Sequence, residues 1–283
     1  MKAQVVEDAI ECNEFMEEVV PVQPGGTLYV ESSRCTVDVR SHDAEEVRVE
    51  AEARGRHPER VVFTLQSAGD DVRFQARTEG WLTGLFGTLE VRARLWVPRR
   101  YSLAMRTSGG GAHVDGVQGH VDLQTSGGDV SLAHIVGQVG LTTSGGSVEL
   151  EHLDGAVRAR TSGGHTHLRD VFGDVDVRSS GGDLRIDGVD GAVEARLSGG
   201  KTSIVFLGDP EGEIRTSGGS VDVLVREQAS FDLDARANGG RVEIEMELER
   251  ERREKSRVTG RRGQKGPRLK LRTNGGGIRL GLL

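Results

Sequence analysis

Apolar and polar residues alternate with a period of two over most of this chain, in short stretches separated by glycine-rich turns. Between residues 108 and 200 the stretches repeat. Ser-Gly-Gly returns at Ser108, Ser126, Ser144, Ser162, Ser180 and Ser198, always 18 residues apart. Counted from the second glycine, the second and fourth positions are Val130 and Leu132, Val148 and Leu150, Thr166 and Leu168, Leu184 and Ile186, Thr202 and Ile204. That spacing predicts a short strand with alternate side chains inward. A lone apolar residue follows at the seventh position, and a second turn glycine two residues later, at Gly119, Gly137, Gly155, Gly173 and Gly191. A second alternating strand runs through Val121 and Leu123, Val139 and Leu141, Val157 and Ala159, Val175 and Val177, Val193 and Ala195. Each repeat is therefore one rung of two strands and two turns.

Such a rung cannot bury its inward face alone. Stacked about 4.8 Å apart, rungs pair strand on strand in parallel and share one core. The predicted fold is all-β: a single-stranded parallel β-solenoid, read as a right-handed β-helix, with 18-residue two-strand rungs and an irregular N-terminal portion. Aromatic residues make up only 4% of the chain, which suits a thin coil with room for Val, Leu, Ile, Ala and Thr but little for rings.

The pattern loosens at both ends. Toward the C-terminus the turn returns at Ser217, Asn238 and Asn274, at intervals of 19, 21 and 36. The last interval holds a strand reading Val242, Ile244, Met246 and then a run of charged, Gly and Ser residues from Glu247 to Pro267, expected as a solvated loop. Toward the N-terminus the glycines vanish while the alternation persists. Val37 and Val39, followed by Val47 and Val49, take the places of Val130 and Leu132, then Val139 and Leu141, and predict a degenerate rung. Longer alternating segments at 62–65, 72–76, 89–97 and 101–105 predict wider rungs or a small capping sheet. The expected organisation is an N-terminal extension over 1–18, degenerate rungs or a capping β region over 19–106, regular solenoid over 107–246, the charged loop insertion over 247–267 and a terminal rung over 268–283.

The net charge of −7, with both signs interspersed, argues against a nucleic-acid binder, which needs a basic face. Residues 1–13 carry Lys2, Glu7, Asp8 and Glu11 without an apolar stretch of signal-peptide length, and no run is long enough to span a membrane. The expected location is the cytoplasm, or the cell envelope if a leader has been removed. Cys12 and Cys35 read as two reduced thiols, with a disulfide as the alternative in an oxidising compartment.

An opening Pro24-Gly25-Gly26 with Leu28 and Val30, a Val97-Pro98 before the repeats, serial Ser-Gly-Gly rungs and a closing Asn274-Gly275-Gly276-Gly277 with Ile278 and Leu280 carry a family resemblance. The chain resembles the bacterial β-strand-repeat family labelled "putative adhesin", over about residues 19 to 283. The resemblance implies a single-stranded β-helix, associated with the cell envelope, with no catalytic residues to carry over. A leader, a membrane anchor and an uninterrupted stretch before Pro267 are the points where this sequence departs from it.

Candidate chemistry within the repeats is sparse. Glu149 and Glu151 on one rung face His167 and Arg169 on the next, so a general acid/base pair has its parts in place; a cross-rung ion-pair ladder uses the same residues and is favoured. His134, His152 and Asp170 share one corner column, with His165 and His167 two apart on a strand, yet the column also holds Gly116 and Gly188, which reads as an exposed corner. On the other strand Asp176 and Arg178, Glu194 and Arg196, Glu213 and Arg215, Asp234 and Arg236 repeat an acid and an arginine, a solubility and register device that could also meet an anionic glycan or a protein. No catalytic, cofactor or metal site is expected. Trp81, Leu82, Leu85 and Phe86 sit among glycines between two strands, as a cap over an open end or as a contact site for a partner. The functional expectation is a non-catalytic scaffold or adhesin-like protein making protein contacts or self-associating; a carbohydrate-binding or polysaccharide-cleaving β-helix is the alternative.

Overall fold

The computed structural model describes residues 9–79 and 89–283, and the chain divides into two units, Met1–Gly140 and Leu141–Leu283. In the first unit the strands are β1 (Ile10–Asn13), β2 (Phe15–Pro21), β3 (Thr27–Ser32), β4 (Cys35–His42), β5 (Glu46–Gly55), β6 (Val61–Ala68), β7 (Asp71–Thr78), β8 (Leu89–Pro98), β9 (Ser102–Thr107), β10 (Ala112–Asp115), β11 (Val121–Thr125) and β12 (Val130–Val136). Strand β13 (Val139–Thr143) carries the chain into the second unit. There follow β14 (Val148–Asp154), β15 (Val157–Thr161), β16 (Thr166–Phe172), β17 (Val175–Ser179), β18 (Leu184–Asp190), β19 (Ala192–Leu197), β20 (Thr202–Phe206), β21 (Glu211–Thr216), β22 (Val221–Val225), β23 (Phe231–Ala237), β24 (Val242–Ile244), β25 (Glu249–Glu254), β26 (Arg257–Arg262), β27 (Arg268–Thr273) and β28 (Ile278–Leu282).

The regular rungs form as their periodicity predicts. In the second unit β14, β16, β18 and β20 pair in parallel in one sheet, and β15, β17, β19 and β21 in the other. The register is the sequence repeat itself: Val148 sits beside Thr166 and Thr166 beside Leu184, eighteen residues on each time. The inward residues Leu150, Leu168, Ile186, Val177 and Ala195 are buried. Where a Thr or Ser precedes the turn, as at Thr143, Thr161 and Ser179 but not at Leu197, it has a second task beyond lining the core. Its hydroxyl donates to the carbonyl of the first turn glycine, as in Thr161 to Gly163, and accepts that glycine's N–H at 3.2 Å. The second glycine is fixed more tightly. At Gly164, φ is +80°, and a Cβ would run into the carbonyl oxygen of Gly146 on the rung before.

Each unit closes its sheets by displacing strands. In the first unit the sheet orders are β1-β6-β7-β3-β9-β11 and β2-β5-β8-β4-β10-β12. The rung made of β3 and β4 therefore lies between β7 and β8 on one side and β9 and β10 on the other. Val37 and Val39 do stand beside Ala112 and Val114, as the repeat predicts. Val47 and Val49, however, belong to the same sheet as Val37 and Val39 and run antiparallel to β8, so the degenerate rung read from the sequence is corrected. Strand β4 finds its rung partner upstream, in β3. An alternating strand has period two in either direction, so alternation alone could not distinguish a parallel rung from a strand that turns back. The outermost strands β2 and β5, and likewise β1 and β6, pair antiparallel.

The second unit closes in the same manner, with orders β15-β17-β19-β21-β27-β23-β26-β25 and β14-β16-β18-β20-β22-β28-β24. The final rung in sequence, β27 and β28, is inserted between two earlier ones, so residues 268–283 are not the last rung in space. The charged run expected as a loop over 247–267 forms the antiparallel hairpin β25 and β26, paired to β23. It escaped the pattern because its only buried apolar residue in those strands is Val258; backbone pairing and ion pairs hold it instead.

Candidate functional site

The acid/base candidates come together in the second unit as an ion-pair chain. The Arg169 guanidinium lies 2.9 Å from Glu149 and 3.8 Å from Glu151. His167 Nε2 is 2.8 Å from Asp187, whose same oxygen is 2.6 Å from Arg185. Burial pulls the Asp187 carboxyl upward, yet hydrogen bonds from Arg185 and His167 prevail and hold it below the ordinary carboxylate range. Each carboxylate thus already faces a cation on an exposed sheet face, the arrangement of a ladder rather than of a poised proton-transfer pair. Pairs of this kind contribute roughly 0 to 1 kcal/mol each.

The corner column has a conformational explanation. His134, His152 and Asp170 have φ of 53°, 53° and 50°, and Gly116 and Gly188 in the same column have 79° and 97°. The position is left-handed in all five, which favours Gly and tolerates Asp, Asn and His. His134 Nδ1 is 2.8 Å from Asp115, and His152 lies 3.5 Å from Asp170 and 3.6 Å from Glu151. Among the described residues no group of three or more His, Cys, Asp or Glu has the arrangement of a metal site. Both cysteines are free thiols, and burial lifts Cys35 to about 12, which keeps it protonated and inert.

The first unit presents a different kind of surface. On the outward face of β2, β5, β8 and β4, Trp96 lies level with Arg48 on one side and Arg40 on the other. The Arg48 guanidinium stands 5.4 Å above the Trp96 ring and 2.5 Å from Glu50. A shallow depression of about 370 Å³ is lined by Asp38, Arg40, Arg94, Leu95 and Trp96. A second, of about 240 Å³, opens between Phe15, Glu52, Arg54 and Arg92. Strand β2 is the edge of this sheet, and its outward Phe15 and Val19 are 55% and 49% exposed. Alternation marks the inward residues of β8, but β1 and the start of β2 fall in the stretch 1–18 expected as an extension, and the edge position of β2 depends on which distant strands pair. Trp81, Leu82, Leu85 and Phe86, the contact candidates from the sequence, lie outside the described residues.

The densest electrostatic centre is Asp234, which the sequence marks only as one of several acid and arginine pairs. Its side chain is 6% exposed and meets Arg272 at 2.5 Å, Arg257 at 3.1 Å and Arg268 at 3.4 Å. Hydrogen bonding from Arg272, opposed by burial and reinforced by Arg257, holds its carboxyl at about 2. One carboxylate from β23 thereby ties β26 and β27 to itself. Among the described residues no helix is long and apolar enough to cross a membrane.

The family model described as Toastrack DUF4097 matches residues 27–281. No curated protein matches the chain. Among solved structures, a "putative cell adhesion protein" from Clostridium sporogenes ATCC 15579 is 10% identical with a TM-score of 0.22, over 95% of this chain and 100% of that one. A "putative adhesin" from Parabacteroides merdae ATCC 43184 is 9% identical with a TM-score of 0.32, over 94% of this chain and 96% of that one. Scores that low carry no argument about what this chain does.

Proposed function

We propose that this chain, which belongs to the Toastrack DUF4097 family, is a non-catalytic β-solenoid scaffold that makes protein contacts through the edge and outward face of its N-terminal strands. The observation that carries the reading is the edge strand β2, where Phe15 and Val19 are exposed beside a face bearing Trp96 and several arginines. An edge strand offers unpaired N–H and C=O groups, and aromatic and Arg side chains are enriched where proteins meet. The rungs carrying Glu149, Glu151, His167 and Arg169 support the non-catalytic half of the reading, since Arg169 and Asp187 already occupy those groups.

Sedimentation velocity across a concentration series tests self-association of the intact chain. The expected result is a concentration-dependent dimer or larger species, abolished by Val19→Lys with the thermal midpoint retained. A strictly monomeric chain, or association indifferent to Val19→Lys and Phe15→Ser, removes this surface from the proposal.

A further inference from the structure

Seven arginines stand side by side on the outward face of one sheet of the second unit. Register pairs Arg160 with Arg178, Arg178 with Arg196, Arg196 with Arg215, Arg215 with Arg272, Arg272 with Arg236 and Arg236 with Arg257. Neighbouring members are therefore one strand apart, about 4.8 Å. The row crosses seven consecutive strands without interruption. The insertion of β27 between β21 and β23 is what completes it, by placing Arg272 between Arg215 and Arg236.

Stacking does not demand arginine at this position. The repeat places Arg106, Gln124 and Thr142 at the equivalent points of earlier rungs, 18 residues apart, and those rungs form the same two strands. Like charges directly opposite on neighbouring strands are destabilising, so an unbroken row is an electrostatic cost to the fold. The flanking acids compensate only in part. Asp176, Glu194 and Glu213 pair with Arg178, Arg196 and Arg215 at 3.5, 3.2 and 2.7 Å, while Asp234 is shared by Arg257 and Arg272. The acid row also includes Arg158 and Lys270. Across the two rows nine cations face four carboxylates, an excess of five positive charges in a chain whose net charge is −7. On the other side of the arginines runs a column of exposed Ser162, Ser180, Ser198, Ser217, Asn274 and Asn238, held in register by backbone bonds such as Ser180 N–H to Thr161 and Ser198 N–H to Ser179.

We infer that this strip binds a linear anionic polysaccharide, one carrying a carboxylate on each sugar. A pyranose unit is roughly one strand spacing long, so the carboxylates that a polyuronate turns toward the sheet stay in step with the guanidinium groups, which bind carboxylates in a planar, two-pronged manner that Lys does not reproduce. The Ser and Asn column supplies donors and acceptors for sugar hydroxyls. Arg160, Arg178, Arg196, Arg215 and Arg236 are exposed along the strip, which suits a long chain lying across the rungs and not a small ligand in a pocket. It belongs to the second unit and is independent of the β2 contact face, so either proposal can fail without the other.

Calorimetric titration of the full chain with polygalacturonate tests the inference, with fully methyl-esterified polygalacturonate and oligothymidylate as parallel arms. Expected is binding of the free polyuronate that weakens log-linearly with salt, and no binding of the esterified polymer. Arg178→Gln, Arg196→Gln and Arg215→Gln combined should lower affinity about 10-fold or more and reduce the salt slope by roughly two, at about 0.7 per neutralised charge for a single-stranded polyanion. Asp176→Asn with Glu194→Gln, which leaves the arginines in place, should tighten binding several-fold. No binding at low salt, equal affinity for the esterified polymer, or an unchanged affinity in the triple variant overturns the proposal. Tighter binding of oligothymidylate than of polyuronate also overturns it, in favour of nucleic acid.

Discussion

In the regular rungs of the second unit, β15 to β20, outward charges pair two residues apart on one exposed strand, as Arg196 does with Glu194 at 3.2 Å. In its closing strands, β23 and β25 to β27, the acid at the equivalent place is Asp234, nearly buried and surrounded by Arg257, Arg268 and Arg272. The regular rungs draw their stability from inward Val, Leu and Ile and from turns that fit one above another, so their surface charges are exchangeable. Among the closing strands β23 and β27 keep an apolar inward face, with Phe231, Leu233, Leu269 and Leu271 buried, but the hairpin beside them lacks both supports. The hairpin β25 and β26 buries Val258 and little else that is apolar, and a specific ionic centre takes over the task of fixing strand order. Periodicity in one region and a single carboxylate in the other thus secure neighbouring parts of the same sheet.

The strongest way to break the regular side of this contrast is Gly164→Ala. A Cβ there collides with backbone in a left-handed turn, and the expected loss is at least about 3 kcal/mol by chemical denaturation. The adjacent Gly163→Ala is the control. Its added Cβ comes no nearer than 3.8 Å to any neighbour, and the expected change is within about 0.5 kcal/mol. Equal effects at the two glycines would refute the stacking account of the turn.

The closing side is broken at Asp234. Asp234→Asn leaves three arginines facing a neutral amide, and a loss of about 2 to 3 kcal/mol is expected, somewhat below that for a fully buried pair because Arg257 and Arg268 reach solvent. The pH dependence has a definite sign. Since folding lowers this carboxyl from 3.8 to about 2, its contribution is fully present above about pH 4 and disappears as the pH falls through about 2. Stability curves of the two proteins should therefore converge toward pH 2; a constant separation down to that pH would dissociate the effect from the Asp234 charge.

The smallest effect sharpens the comparison. Arg169→Gln removes the partner of Glu149 and Glu151 on an exposed face, and less than about 1 kcal/mol is expected. A loss comparable to that of Asp234→Asn would erase the distinction between exchangeable rung charges and the closing centre.

Much of the regular structure was legible from residue types. Val148, Leu150, Val157 and Ala159 announce two inward pairs per rung, and all four are buried. The His134, His152 and Asp170 column was legible as a polar corner, though its left-handed backbone is set by the fold. Two things were not legible. The hairpin over 249–262 has no apolar alternation because it covers an edge through its backbone. The arginine row was visible as Arg178, Arg196, Arg215 and Arg236, but not that Arg272 stands between the last two through the insertion of β27, nor that Arg257 of the hairpin extends it.

The sequence by itself determined the rung: its length, its inward residues, its two turns and the parallel register of each repeat on the next. Those follow from local sterics and from an apolar period that has one way of stacking when every unit is alike. The tertiary structure alone decided how each unit ends, which strand is inserted between which, and therefore which charges become neighbours. Strand direction and partner leave no mark on a period-two pattern, and once the repeat is lost the choice rests on contacts between residues far apart in the chain, such as Asp234 with Arg272.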